Sequence, residues 1–268
     1  MRPIFRSARQ LPLLFRRRRT EMDALTAAAA SGIRARIESL DMLANNLANT
    51  SAAGFKSDSE SYGLYISAEA AESPEGTSPA ILPVIQNRWT DFSQGALLPT
   101  SNSTDLALSG EGFFAVNGPS GPLYTRGGSF RLSRTGRLET QDGYGVQASD
   151  GKSIQLDSSK TFEVTPDGTV RQDGQDVSQI GVVDFQDRAV LAKRGASYFQ
   201  NTSSVTTPSP ATQADIRQGK LEAANSESAH SAARLVTILR QFEALQKAMT
   251  IGADMNRRAV EDVAKVGP

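Results

Sequence analysis

Few residues of this 268-residue sequence have the type and setting that chemistry requires. His230 is the only histidine and stands in ESAHSAAR with no nucleophile motif beside it, so it is read as a solvent-facing or hydrogen-bonded side chain, not a base. A Ser-His-Asp arrangement would also need a G-x-S-x-G turn, and none accompanies it. The absence of cysteine excludes disulfides and zinc sites of the Cys/His type. Asp105 with Glu111, or Asp142 with Asp150, are carboxylate pairs of the kind a glycosidase uses. Aspartate is also an ordinary turn residue, however, and an aromatic content of 6% offers little sugar platform. Gly110-Glu111-Gly112 lacks the third glycine of a dinucleotide loop and the Gly-Lys-Ser/Thr of a phosphate loop, so its glycines belong to a hairpin. No catalytic, cofactor-binding or metal-binding residue is expected.

The stretch ANNLANTSAAGF, residues 44–55, is chemically more unusual. Asn45, Asn46 and Asn49 are poor helix formers, because a short amide competes for backbone hydrogen bonds, yet they end a leucine-containing helical pattern. Two readings stand side by side. The amides terminate the helix locally, with Asn49 near its C-terminal cap, or they stay partly unsatisfied until a neighbouring subunit supplies partners and fixes the register.

The elements that would position these residues follow from composition and period. A hydrophobic content of 38% permits a buried core, and formal charge is zero. Residues 1–21 carry seven of the 29 basic residues and one of the 29 acidic ones, which leaves 22 basic against 28 acidic from Met22 onward. That mildly acidic body does not suit a nucleic-acid binder. The apolar run LPLLF in the basic head is too short for a secretory signal, and no stretch approaches the roughly 20 apolar residues of a membrane span, so direct membrane insertion is not expected. Residues 1–21 are read either as a solvated basic tail or as an extension upstream of a true start at Met22. Arg16 to Arg19 lack the aromatic interleaving of a lipid- or nucleic-acid-binding segment.

Ile33, Ile37, Leu40, Ala44 and Leu47 recur in steps of four and three, the spacing of a coiled-coil seam, within a helix expected over 22–56 and closed by Gly54. Residues 57–90, rich in serine, alanine and proline, are expected to form a loosely structured connector. Residues 91–213 alternate short apolar runs with Asn117-Gly118, Asp142-Gly143, Asp150-Gly151, Asp167-Gly168 and Asp173-Gly174, the signature of antiparallel hairpins. Helical spacing resumes over 214–264, where Leu235, Ile238, Phe242, Leu245 and Met249 form a second seam, and 265–268 is a tail. The fold class is α+β: N- and C-terminal helices pairing as a discontinuous coiled-coil domain, with an antiparallel all-β domain between them.

Three blocks carry a family resemblance. SGIRARIESLDMLANNLANTSAAGFK (31–56), DFSQGALLPTSNSTDLALSGEGFFAV (91–116) continued by YTRGGSF and GRLETQDGYGV, and RQGKLEAANSES (217–228) continued by LVTILRQFEALQKAMTIGADM resemble, in that order, the flagellar basal-body rod, hook and hook-associated family. Asn225, Ser226 and Glu227 depart from the family's usual SNV, and Arg240, Gln241, Phe242 and Glu243 from its usual RAYE. The short β region is most similar to proximal-rod members, then to distal-rod members. The resemblance implies a structural axial subunit without enzymatic activity or cofactor. Its helices would line a hollow shaft in the periplasmic basal body, reached through the flagellar type III export apparatus without a cleaved Sec signal. It also implies partners, namely copies of itself and other rod and hook subunits, with Ile33, Ile37, Leu40, Ala44, Asn45, Asn46, Leu47, Asn49, Leu235, Ile238, Phe242, Leu245 and Met249 at the interface. A different reading of the same pattern is a secreted β-rich binding module oligomerised by terminal coiled coils.

Overall fold

A computed structural model describes residues 14–66, 81–226 and 228–265. Helix α1 (Leu14–Ala48) includes Arg16–Arg19, so the helix begins before Met22, while residues 1–13 of the basic head lie outside the described part. Its most buried positions are Gly32, Ala35, Ser39, Met42, Leu43 and Asn46. That stripe lies beside the Ile33–Leu47 seam and is made mainly of smaller residues, which permit close approach. The Ser39 hydroxyl bonds the Ala35 carbonyl at 2.9 Å and meets the Tyr62 hydroxyl, over whose ring the Arg36 guanidinium sits at 4.5 Å.

Gly54 does not stop α1, which ends six residues earlier at Ala48. Its φ of +69° serves a different need: a Cβ there would lie 2.2 Å from the Arg126 carbonyl carbon and the Gly127 nitrogen. The connector expectation also needs correction. Strands β1 (Asp58–Ile66) and β2 (Ile81–Thr90) form a two-stranded sheet, and only 67–80 lies outside the described residues. Alternation at Tyr62, Leu64 and Ile66 is the period of a strand, hidden in sequence by the serines and prolines of the stretch that follows.

The β region holds strands β3 (Leu97–Pro99), β4 (Leu106–Gly110), β5 (Phe113–Gly118), β6 (Gly121–Thr125), β7 (Phe130–Leu132), β8 (Leu138–Thr140) and β9 (Gly145–Val146). Next come β10 (Phe162–Val164), β11 (Thr169–Gln172), β12 (Gln175–Gln179) and β13 (Val182–Asp184), then β14 (Leu191–Arg194), β15 (Tyr198–Asn201) and β16 (Ser209–Pro210). The largest sheet runs β14-β15-β6-β5-β9-β8-β7, with β13 also on β5, and β10-β11-β12 is a separate sheet. The ladders here are antiparallel, as the turn dipeptides predict. Asp173-Gly174 is a two-residue hairpin loop with φ of 51° and 75°, the signs a type I′ turn requires. Asn117-Gly118 instead belongs to the end of β5, and the loop there is Pro119-Ser120.

Strand β5 explains the two-sided core. Phe114 and Val116 enter one cluster with Leu106, Leu108, Phe130, Leu138, Val146 and Ile154, while Phe113 and Ala115 enter another with Tyr124, Phe185, Leu191 and Phe199. A strand with alternate residues in two apolar clusters is buried on both faces.

Strands β17 (Ala214–Gln218) and β18 (Lys220–Glu222) replace the start of the expected C-terminal helix, which here is α2 (Ser228–Lys265). Tertiary pairing overrides local pattern: β17 pairs with β4 along five residues and puts Ile216 in the core, and β18 pairs with β3. The chain divides into two compact units. One comprises Met1–Asp41, Glu60–Arg88 and Arg234–Pro268, and the other comprises Met42–Ser59 and Trp89–Ala233.

Candidate functional site

The most concentrated arrangement of charge lies inside the β-containing unit and joins all three sequence blocks. Lys56 follows the turn after α1, Arg126 follows β6, and Glu222 ends β18. Their side chains are 0%, 4% and 0% exposed. The Lys56 ammonium donates to Glu222 Oε1 at 2.6 Å and to the Ser93 carbonyl at 2.5 Å. Arg126 Nε donates to Glu222 Oε2 at 2.8 Å, and its Nη1 to the carbonyls of Gly110 and Gly112 at 2.9 and 2.8 Å. The Gly95 amide completes the set on Glu222 Oε1 at 2.9 Å. Burial lowers the Lys56 pKa below the ordinary lysine value, with the Glu222 hydrogen bond and charge working against that shift.

Backbone closes the same site. Gly54 N–H donates to the Glu222 carbonyl at 2.7 Å, and Ala223 N–H to that of Ala96 at 2.8 Å. Asn225 accepts the Ser57 N–H at 2.8 Å and donates to the Asp91 carbonyl at 2.7 Å, so its amide is engaged within the chain. Lys193 donates to the Lys56 carbonyl at 2.6 Å and to Asp58 at 2.8 Å, with its ammonium 4.7 Å from the Phe55 ring centre. One carboxylate between two cations, with every inner group tied to backbone, is suited to holding chain segments together and presents no free nucleophile. Sequence reasoning missed Lys56, Arg126 and Glu222. Each is one charge among several in its block, in GFK, YTRGG and KLE, and nothing local marks it out.

The residues weighed for catalysis have separate local duties. His230 is exposed on α2. Asp142 accepts the Tyr198 hydroxyl at 2.6 Å, Glu111 pairs with Arg188 at 2.8 Å, and Asp150 with Lys152 at 3.2 Å. Asp105 is buried, with its carbonyl accepting the Gly219 N–H. Burial, assisted by Asp142, raises the Tyr198 pKa.

The asparagines divide. Asn46 is buried and makes two bonds to the backbone of Asp58, donating from Nδ2 to the carbonyl at 2.8 Å and accepting the N–H at 3.0 Å. The expectation of an unsatisfied amide therefore fails for Asn46, because a carboxamide presents one donor and one acceptor in the spacing that an extended residue offers. Asn49 donates to the Asn45 carbonyl at 2.8 Å, a local helix-ending bond, and Asn45 is exposed. Among the apolar seam residues of α1, Ile33, Leu40 and Leu47 are half-buried while Ile37 and Ala44 are exposed. On α2, Ile238 is buried and Leu235, Phe242, Leu245 and Met249 are half-buried.

Comparison with known proteins places these blocks. Residues 107–172, from β4 into β11, match the family described as the flagellar hook protein FlgE/F/G D1 domain. The chain is 36% identical over 228 residues to the flagellar basal-body rod protein FlgF of Caulobacter vibrioides, an alignment covering 85% of this chain and 92% of that protein. It is 28% identical to the basal-body rod protein FlgG of Bacillus subtilis, over 82% of this chain and 92% of the relative. FlgF of Rhizobium meliloti is 27% identical, over 83% and 90%. Because the likeness to the Caulobacter protein runs through nearly the whole of both chains, beyond the β region that the domain match covers, the chain belongs to the flagellar basal-body rod protein family.

Proposed function

We propose that the chain is a structural, non-enzymatic subunit of the flagellar basal-body rod that polymerises through its terminal helices into the hollow periplasmic shaft. In that role it would transmit torque and enclose the path of exported subunits. Family membership supports the rod assignment. The observation carrying the assembly reading is the row of large apolar side chains left exposed along α2, with Ile37 on α1, beside scattered ones such as Leu98, Val177 and Val205 in the β region. The row on α2 is Val236, Leu239, Ile251, Met255 and Val260. Such a row suits burial against neighbouring helices.

In this reading α1 and α2 pair as coiled coil through the seams of Ile33–Leu47 and Leu235–Met249, with Asn45 at the contact between subunits. Asn256 supports a register role for α2. It stands two steps beyond Met249 when the spacing of three and four is continued, and its Oδ1 is buried without a hydrogen-bond partner among the described residues. A polar group in an apolar seam favours the alignment that satisfies it. The partners are copies of the chain, other rod and hook subunits and the flagellar type III export apparatus, which the chain would enter without a cleaved Sec signal. No helix among the described residues is long and apolar enough to cross a membrane. Deleting the gene is expected to block hook assembly and export of later axial components, with rescue by a copy beginning at Met22. Normal hooks in the deletion strain would overturn the assignment.

A further inference from the structure

We propose that Glu222 is the bolt of a latch that opens and closes as one cooperative unit, separately from the β core, and ties the segment following α1 to the segment preceding α2. The latch comprises residues 54–57, 93–96 and 222–225. Its segments are bonded to one another: Gly54 to Glu222, Ser57 to Asn225, Gly95 to Glu222, Ala223 to Ala96 and Asn225 to Phe55. Except for Phe55, these segments contribute no buried hydrophobic residue, and Phe55 belongs to neither apolar cluster of the core.

Charge makes the unit all-or-none. Glu222 touches both Lys56 and Arg126, so losing its charge leaves two buried cations sharing backbone carbonyls. Removing one partner of a buried ion pair is strongly unfavourable, and the cations escape that cost by meeting water. A route is at hand: a cavity of about 470 Å³ is lined by Lys56, Arg126, Ser93, Gln94, Gly110 and Phe113 among others. Opening along it would release Gly54, Ser57, Ala223 and Asn225 together while the sheet from β14 to β7 keeps its ladders. Protein regions of low contact density do open in such contiguous units.

Amide hydrogen exchange on the full chain tests this. In Glu222→Gln, which keeps shape but not charge, exchange at Gly54, Ser57, Gly95, Ala223 and Asn225 should rise together by at least about a hundredfold, with Val116, Leu138 and Phe130 unchanged. A triple variant, Lys56→Met, Arg126→Met and Glu222→Met, removes all three charges and should recover most of the protection. Three results would overturn the latch: equal acceleration in the core, acceleration confined to Gly95, or a triple variant as open as Glu222→Gln.

Discussion

Lys56 and Glu222 lie 166 positions apart in sequence, and their charged atoms are 2.6 Å apart with both side chains fully buried. A contact across so much chain costs closure entropy that grows only slowly with length, so one strong buried ion pair can hold it. The pair is unequal. Lys56→Met leaves Glu222 bonded to Arg126 and the Gly95 amide, whereas Glu222→Gln leaves two cations without a counter-charge. The glutamate variant should weaken the closed site by about 3–5 kcal/mol and the lysine variant by clearly less. Opening free energies from hydrogen exchange at Asn225 give the order, and a larger loss in Lys56→Met would contradict this account.

Gly54→Ala should be among the most damaging single-methyl additions. Its φ is +69°, and the new Cβ would meet backbone atoms of Arg126 and Gly127 at 2.2 Å, which no side-chain rotation relieves. The left-handed conformation alone costs about 1–3 kcal/mol, and displacement of Arg126 from Glu222 adds to it. Urea denaturation would measure the sum. A loss below about 1 kcal/mol would mean that the backbone yields at this point.

Asn46→Ala removes a donor and an acceptor from the Asp58 backbone in a setting where Asn46 is 4% exposed. Leaving those backbone groups unpaired should cost about 1–3 kcal/mol in the isolated chain. Chemical denaturation of the monomer checks this. An unchanged midpoint combined with failed assembly would return Asn46 to a purely intermolecular role.

Legibility in the sequence followed locality. Asp173-Gly174 predicts its hairpin because a type I′ loop is decided by the two residues within it. The helical periods of α1 and α2 are likewise local. Strands β17 and β18 were not legible, since ADIRQGKLE becomes extended only by pairing with β4 and β3, more than 100 positions earlier. The ionic site failed for the same reason. Lys56, Arg126 and Glu222 each resemble an ordinary surface charge until the ladders bring them together. Asn46 shows a subtler limit: its unusual place at a helix end was readable, but its partner, the Asp58 backbone, belongs to a strand that composition concealed.

Acid should reveal Glu139. Hydrogen bonding by Arg137 first, then by Arg131, holds its pKa below the ordinary value of 4.5. Below 4.5 the unfolded chain therefore takes up a proton that the folded chain still refuses, so unfolding consumes protons there. The contribution of Glu139 is complete above 4.5 and is lost as pH falls through its lower folded value. Glu139→Gln should consequently be less stable than the parent at neutral pH, with the gap closing on acidification. Urea midpoints between about pH 7 and pH 3 test the sign, and a gap that widens toward acid would refute it.

The last prediction separates folding from assembly by comparing Ile37 with Ile238, isoleucines that are 45% and 3% exposed. Ile37 is nearly half exposed in its own chain, so Ile37→Glu should cost the isolated subunit far less than a core substitution, on the order of 1 kcal/mol or below. If the α1 seam meets a neighbouring helix, the same carboxylate would be forced into an apolar contact where burying a charge is prohibitive, and rods should not form. Ile238→Ala works in the opposite way, costing about 2–5 kcal/mol in the subunit by opening a cavity among groups already packed. Thermal unfolding of both purified variants, set beside motility and electron microscopy of cells carrying them, distinguishes the two effects. Should Ile37→Glu cells swim normally, that face of α1 would be exposed to solvent in the mature structure and the seam could not be where subunits join.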